Sequence, residues 1–281
     1  MTYSIVARDP DTGELGVAVQ TRSFAVGAAV PWAEPGLGAV ATQSFTERSY
    51  GPLGLELLRI GRTPEEALAG LVAADAHHQV RQVGMVDAEG RAAAHTGEHC
   101  IPEAGHLPGD GFTVQANMMR SADVWPAMAE AFQTAPGSLP QRLLAALDAA
   151  EAAGGDFRGR QAAAMLVVEG EPSGKPWDAR VIDIRVDDHP DPVAELRRLV
   201  TLAEGYRRLN RVSGNVSAEE VEAARAAGVA EDHLEWSSVA AAWRAGDLQE
   251  ARRRLDVLVR REGRWENAWN VLVSIPPPSD E

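Results

Sequence analysis

Thr2 stands directly behind the initiator methionine and two residues before Ser4, in the opening MTYSIVAR. Removal of Met1, expected before a residue as small as threonine, leaves Thr2 with a free α-amine whose ordinary pKa is about 7.7–8.0. An amine titrating there can take the proton of the hydroxyl on its own residue, which is how N-terminal threonine nucleophiles are activated. In an extended strand Thr2, Ser4 and Val6 share one face, so Ser4 is expected to line the same cleft. The plainer alternative is that both hydroxyls merely suit the start of a strand.

Other polar residues fall where strand ends should converge: Gln20 and Arg22, Gln43 and Ser44, Gln115 and Asn117, Arg160 and Gln161. Amides can donate to a developing oxyanion, the role expected of Asn117, and arginine can hold a carboxylate or carbonyl. Singly, each suits a buried backbone group at a sheet edge. Collectively they predict a polar pocket for a small-molecule substrate.

A rival constellation is His95, His99, Cys100 and His106. Imidazole and thiolate ligate zinc, but the spacing fits no zinc pattern and the chain has one cysteine, so no metal is expected. His77 and His78 end a helix, where the dipole favours a cation. No glycine-rich phosphate loop follows a strand, so no nucleotide cofactor is expected either.

The elements that must position these residues follow from periodicity and turn chemistry. Thr2–Arg8 and Leu15–Arg22 read as a hairpin across Asp9-Pro-Asp-Thr-Gly13. Strands are expected at Phe24–Val30 and Gly38–Gln43, with the Pro/Gly-rich stretch 31–36 between them. A helix starts near Tyr50 and runs to Ile60. A second has Thr63 as N-cap and Pro64 at its first position. Gln82–Asp87 and Arg91–Thr96 form another hairpin. A loop to Gly111 and a strand at Phe112–Asn117 follow. Helices are expected at Ser121–Gln133 and Leu139–Ala153, strands at Gln161–Glu169 and Arg180–Val186, and a helix from Pro190 to Leu209. Hairpin-linked strands alternating with helix pairs exclude a parallel α/β fold and favour layered antiparallel sheets carrying helices, an α+β class.

Composition shifts around 212–217. Beyond it lie only helical signals and four of the seven tryptophans, Trp236, Trp243, Trp265 and Trp269. Ala241–Ala251 resembles a helix, a Gly-Asp turn and a second helix of tetratricopeptide type, a weak signal for a single unit. The predicted organisation is one domain over 1–211 and a small helical domain over 212–281 with a disordered tail from Pro276. The helical part is either a simple appendage with a tryptophan core or a module for a protein partner.

The 281-residue chain carries a formal net charge of −14, which argues against binding nucleic acid through its phosphates. No apolar run of about 18 residues exists and no signal peptide opens the chain, so neither a membrane span nor export is expected, and the cytoplasm is.

The chain is similar to a known family. Thr2–Val6 with Leu15–Arg22 resembles the opening of N-terminal nucleophile (Ntn) hydrolases, whose first residue ends a strand in an αββα sandwich. A closer resemblance is to the family DUF1028. It is carried by Ser4-Ile-Val-Ala-Arg-Asp9, Gly27-Ala-Ala-Val-Pro-Trp32, Gly38-Ala-Val-Ala-Thr-Gln43, Tyr50-Gly-Pro52, Arg81-Gln-Val-Gly84, His95-Thr-Gly97, Gln115-Ala-Asn-Met-Met119, Arg158-Gly-Arg-Gln161 and Val186-Asp-Asp-His-Pro-Asp-Pro192. The resemblance implies an Ntn-hydrolase-like four-layer αββα fold. With Thr2 as nucleophile it makes hydrolysis of a small amide or related C–N bond the expectation, the alternative being a non-catalytic ligand-binding or scaffold protein. Oligomeric state stays open at this point, a homo-oligomer being one outcome because sheet-rich domains of that kind often associate. One departure stands out. Proteasome-like members place a lysine beside the nucleophile, whereas Lys175, the only lysine here, falls in an expected loop between Gly174 and Pro176. Arg22 is the natural substitute, although it cannot take a proton.

Overall fold

The structure is a computed structural model and describes residues 2–172, 174, 179–210 and 216–275. Lys175, residues 211–215 at the start of the composition shift and the tail from Pro276 lie outside the described residues. Contacts divide the chain into two compact units, Met1–Arg197 and Arg198–Glu281. The dividing point falls inside a helix, which no change of composition marks.

The first unit is mixed α+β, with two antiparallel sheets. One contains β1 (Thr2–Arg8), β2 (Leu15–Thr21), β7 (Gly105–Gly109), β8 (Phe112–Asn117), β9 (Ala162–Val168) and β10 (Arg180–Val186), in the order β10-β9-β2-β1-β8-β7. The other contains β3 (Pro31–Glu34), β4 (Gly38–Ser44), β5 (Arg81–Asp87) and β6 (Ala92–Thr96), in that order. The inner strands β1, β2, β4, β5 and β8 are buried on both faces. Val6, Val17 and Val19 of the six-stranded sheet meet Ala39, Ala41 and Val86 of the four-stranded sheet in one shared core. The outer face of the smaller sheet, Val40, Val83 and Met85, is covered by α1 (Tyr50–Arg59) and α2 (Pro64–Ala74) through Leu55, Leu58 and Leu68. The outer face of the larger sheet carries α3 (Val124–Thr134) and α4 (Leu139–Ala152).

Local chemistry explains most boundaries. Thr63 caps α2 in a reciprocal capping box with Glu66, with Pro64 next in line. The same box, Ser138 with Gln141, opens α4, and Gly154 and Gly155, both at positive φ, follow its end. Two expectations fail at sheet edges. Phe24–Val30 is not a strand: Ala25 takes φ 56° and Val26–Ala28 forms a 3-10 turn, while the edge strand is Pro31–Glu34 itself. The expected loop before Gly111 contains β7, Gly-His-Leu-Pro-Gly, at an edge of the six-stranded sheet. Proline is tolerated on an edge because its missing N–H can face outward, so its presence did not exclude a strand.

α5 (Pro192–Asn210) carries the chain into the second unit, which holds α6 (Ala218–Ala226), α7 (Glu231–Arg244), α8 (Leu248–Arg261) and α9 (Trp265–Ser274). Gly246, at φ 77°, and Asp247, whose side chain accepts from the Glu250 amide, join α7 to α8. Val239, Leu255 and Leu258 pack there with Trp236, Trp265 and Trp269.

Candidate functional site

Parity along the strands decides which polar side chains meet. β1 turns Ser4 and Val6 toward the smaller sheet, and Tyr3 the other way, where its hydroxyl donates to Glu151 of α4 at 2.5 Å. Thr2 pairs with Thr21 on one side and with Asn117 on the other. In β8, Thr113, Gln115 and Asn117 share Ser4's face. Facing them across the gap are Gln43 of β4 and Gln82 of β5.

These side chains close a buried hydrogen-bond network. Ser4 Oγ donates to Gln43 Oε1 (2.6 Å) and accepts from Gln115 Nε2 (2.6 Å). Gln43 Nε2 and Asn117 Nδ2 both donate to Gln82 Oε1, each at 2.8 Å. The same two amides reach the Thr2 carbonyl, at 3.2 and 3.4 Å. Gln82 Nε2 donates to Ala116 O (2.8 Å), Thr96 Oγ1 (2.9 Å) and, more weakly, Gly105 O (3.2 Å). Ser4, Gln43, Gln82, Gln115 and Asn117 are fully buried, and Thr2 is only 4% exposed. Its Oγ1 donates to Thr21 Oγ1 at 3.2 Å. Asn117 Oδ1 has no partner among the described residues, an acceptor left open beside Thr2. Gly84 is what lets Gln115 in, because a Cβ there would stand 2.2 Å from Gln115 Oε1.

The expected site residues therefore sort into three places. Thr2, Ser4, Gln43, Gln115 and Asn117 come together between the sheets. Arg22 and Gln161 sit beside one another at the rim, with Nη1 donating to Oε1 at 2.5 Å, and Gln161 also donates to Asp188. Ser44, at φ 70°, ends β4 beside the Cys100 thiol. Gln20 and Arg160 do not join the group. Gln20 pairs with Tyr3, so its side chain lies on the helix-covered face, fully buried with neither amide atom partnered. Arg160 pairs with Glu151 at 3.1 Å and Asp191 at 3.2 Å, Glu151 being the carboxylate that also binds Tyr3. Burial, with Glu151 adjacent, pushes the Tyr3 phenol well above its usual range.

Gln82, Thr96 and His106 belong to the network and were not among the expected site residues. For Gln82 and Thr96 the signal in the sequence is a polar residue at an inward position of a strand, as Gln82 is one pleat from Gly84 and two from Val86. The remaining members of the histidine cluster diverge. His95 Nε2 is bound to His78 O at 3.0 Å, and His99 is exposed near Glu98. Cys100 is buried with its thiol donating to Arg81 O at 3.3 Å, and burial pushes that thiol's pKa up. Among the described residues no three His, Cys, Asp or Glu side chains are grouped to hold a metal. Among the described residues no helix is long and apolar enough to cross a membrane.

Three exposed phenylalanines frame this end of the sheets. Phe24 follows β2, Phe45 follows β4, and the Phe157 amide donates to Met118 O just past β8. The other two, Phe112 and Phe132, are buried against each other.

No curated protein matches this chain. Among solved structures it is similar to the crystal structure of protein SPO2555 from Silicibacter pomeroyi, a DUF1028 protein, with 32% identity and a TM-score of 0.65 over 79% of this chain and 90% of that one. The sequence model of the family of unknown function DUF1028 matches residues 2–196, the strands and helices that build the amide network included. The chain therefore belongs to DUF1028.

Proposed function

We propose that the first unit is an Ntn-hydrolase-like αββα sandwich that hydrolyses a small amide or related C–N bond, with Thr2 as nucleophile after Met1 is removed. The observation that carries this reading is the grip on Thr2. Its carbonyl is held by amides from a neighbouring strand and from the facing sheet, and its Oγ1 rests on Thr21 Oγ1. A buried carbonyl needs partners in any strand, but here the hydroxyl of the same residue is fixed as well, and a nucleophile gains rate from being held within a fraction of an ångström.

In this reaction the α-amine of Thr2 takes the proton of Oγ1 as the oxygen attacks the carbonyl carbon of the substrate. The tetrahedral intermediate collapses, the leaving nitrogen takes that proton, and an ester on Thr2 remains for water to cleave. Asn117 is the oxyanion donor of this scheme. One Nδ2 hydrogen is anchored on Gln82 Oε1, and the other, in the long 3.4 Å contact to Thr2 O, is the one to turn toward the oxyanion. Ser4, saturated by Gln43 and Gln115 and fully buried, positions those amides and does not attack. Arg22 supplies a fixed cation at the rim, and the exposed phenylalanines an apolar contact for the acyl group.

The test is a panel of amides and ureides on the wild type, Thr2→Ala and Ser4→Ala, with intact mass measured on each. Turnover should require loss of Met1 and fall by roughly a thousandfold or more in Thr2→Ala. Ser4→Ala should retain measurable turnover. An active protein that keeps Met1, or undiminished turnover in Thr2→Ala, would overturn the nucleophile. A panel with no turnover but saturable binding would favour the ligand-binding alternative, with the helical unit as its partner module.

A further inference from the structure

The hydrogen bonds of the buried network run in one direction, and backbone carbonyls fix which way. A carbonyl can only accept, so the amide atom facing it is nitrogen. Gln43 Nε2 faces Thr2 O and Gln115 O, both at 3.2 Å. Gln82 Nε2 faces Ala116 O at 2.8 Å and Gly105 O at 3.2 Å. With both amides oriented, donors follow one another from Gln115 Nε2 to Ser4, from Ser4 to Gln43, from Gln43 to Gln82, and from Gln82 to Thr96 Oγ1. The Thr96 hydroxyl thus accepts from the interior. The one acceptor within its reach among the described residues is His106 Nδ1, at 2.8 Å.

If the Thr96 hydroxyl hydrogen takes that acceptor, Nδ1 carries the lone pair and the ring is neutral with its proton on Nε2. Burial opposes the cationic ring, as does His95 to a lesser degree. Nε2 makes no hydrogen bond to any described residue. His106 lines a groove of about 510 Å³ at the open edge between β6 and β7, together with Thr96, Glu98, Cys100, Glu103 and Gly105. That volume lies in the range of small-molecule sites. Glu98 and Glu103 are the charged residues of its lining, and they repel an anion. Cys100 adds no charge, its thiol being buried and bound, and Arg81 beneath it is paired with Asp75 at 2.7 Å. His95 lies on the other face of β6, bound to His78 O.

We propose that this groove binds an uncharged amide, whose carbonyl oxygen accepts a hydrogen bond from the preset Nε2–H of His106. The network is then a device for holding a tautomer, with buried amides acting through Thr96 to present a donor at the surface. It also joins the groove to Thr2, because Gln82 bonds both Thr96 and the two amides that hold the Thr2 carbonyl. That the amide bound here is the one cleaved at Thr2 rests on the reading above. The binding site itself does not.

The experiment is nitrogen-15 NMR of the full chain labelled at histidine, with N-acetylglycinamide and its acid, N-acetylglycine, as probes. At pH 7 His106 should show protonated Nε2 and bare Nδ1. N-acetylglycinamide should shift Nε2 saturably, and the acid should bind at least tenfold more weakly. Thr96→Val, which removes the hydroxyl that fixes Nδ1, should let the Nδ1–H form appear and weaken amide binding several-fold. His106→Phe should abolish saturable binding, whereas Thr2→Ala should bind as the wild type does, so failure of this site and failure of the nucleophile are told apart. A cationic or Nδ1–H ring in the wild type, a tautomer unchanged in Thr96→Val, or a carboxylate that binds as well as the amide would each overturn the proposal. Should His106→Phe fail to fold, the tautomer measurements on the wild type and Thr96→Val decide.

Discussion

Between the same two sheets, two regions are packed on opposite principles. At one end Val6, Val17, Val19, Ala39, Ala41 and Val86 interlock without a polar atom among their side chains. At the other, one or two pleats along the same strands, Ser4, Gln43, Gln82, Gln115 and Asn117 fill the gap and are equally dry. The apolar end needs only volume and burial, worth about 1.5–3 kcal/mol for a large side chain. The amide end gains about 0.5–1.5 kcal/mol net from each hydrogen bond, but loses about 1–3 kcal/mol for each group left unpaired. A cluster of five buried polar side chains is therefore a poor way to hold two sheets together and a good way to hold atoms in fixed orientation. It also leaves one acceptor open, Asn117 Oδ1, and that atom lies beside Thr2.

This contrast can be broken from either side. The largest effect is expected for Gln82→Ala, which strands the Asn117 and Gln43 donors and frees Thr96 together. Unfolding free energy from denaturant titration should fall by about 3 kcal/mol or more, and the His106 tautomer should become mixed. Val19→Ala removes comparable packing from the apolar end. It should cost about 2 kcal/mol by the same titration while leaving the His106 tautomer untouched. If the two variants lose equal stability with His106 unchanged in both, the amide end is only another piece of core.

The smallest effect concerns pH. The folded protein holds the His106 pKa below its ordinary value of 6.5, chiefly by burial, so the unfolded chain binds that proton more tightly. The contribution to stability is complete above about pH 6.5, declines as pH falls below it, and stops changing below the folded-state pKa. Denaturation midpoints measured from about pH 7.5 to 5 should show this slope in the wild type, and a smaller one in His106→Gln. An equal slope in both proteins would mean that His106 is as free to protonate when folded as when unfolded.

Much of this arrangement could be read from residue order. Alternation put Thr2 and Ser4 on one face of β1 and Gln115 and Asn117 on one face of β8, and those pairs do meet. Gln20 misled because parity in β2 depends on register. Thr2 pairs with Thr21, so Thr21 shares the inner face and Gln20 goes outward with Tyr3. β7 escaped notice because Gly105, Pro108 and Gly109 read as loop chemistry, and with it went the placement of His106. Gln82 and Thr96 gave the same inward-polar signal as Gln43, but nothing along the chain says that β5 faces β8.

What the sequence determined alone was local: strand and helix periods, a cap such as Thr63, the family, and a small residue behind Met1. These depend on neighbours within a few positions, where steric preference and hydrogen bonding act directly on the backbone. Tertiary structure decided which polar faces met, which way each amide points, and where His106 carries its proton. Those outcomes depend on contacts between different strands, from Thr96 with His106, 10 positions apart, to Ser4 with Gln43 and with Gln115, 39 and 111 positions apart. Strand pairing within the larger sheet brings Ser4 to Gln115, and the stacking of the two sheets brings it to Gln43.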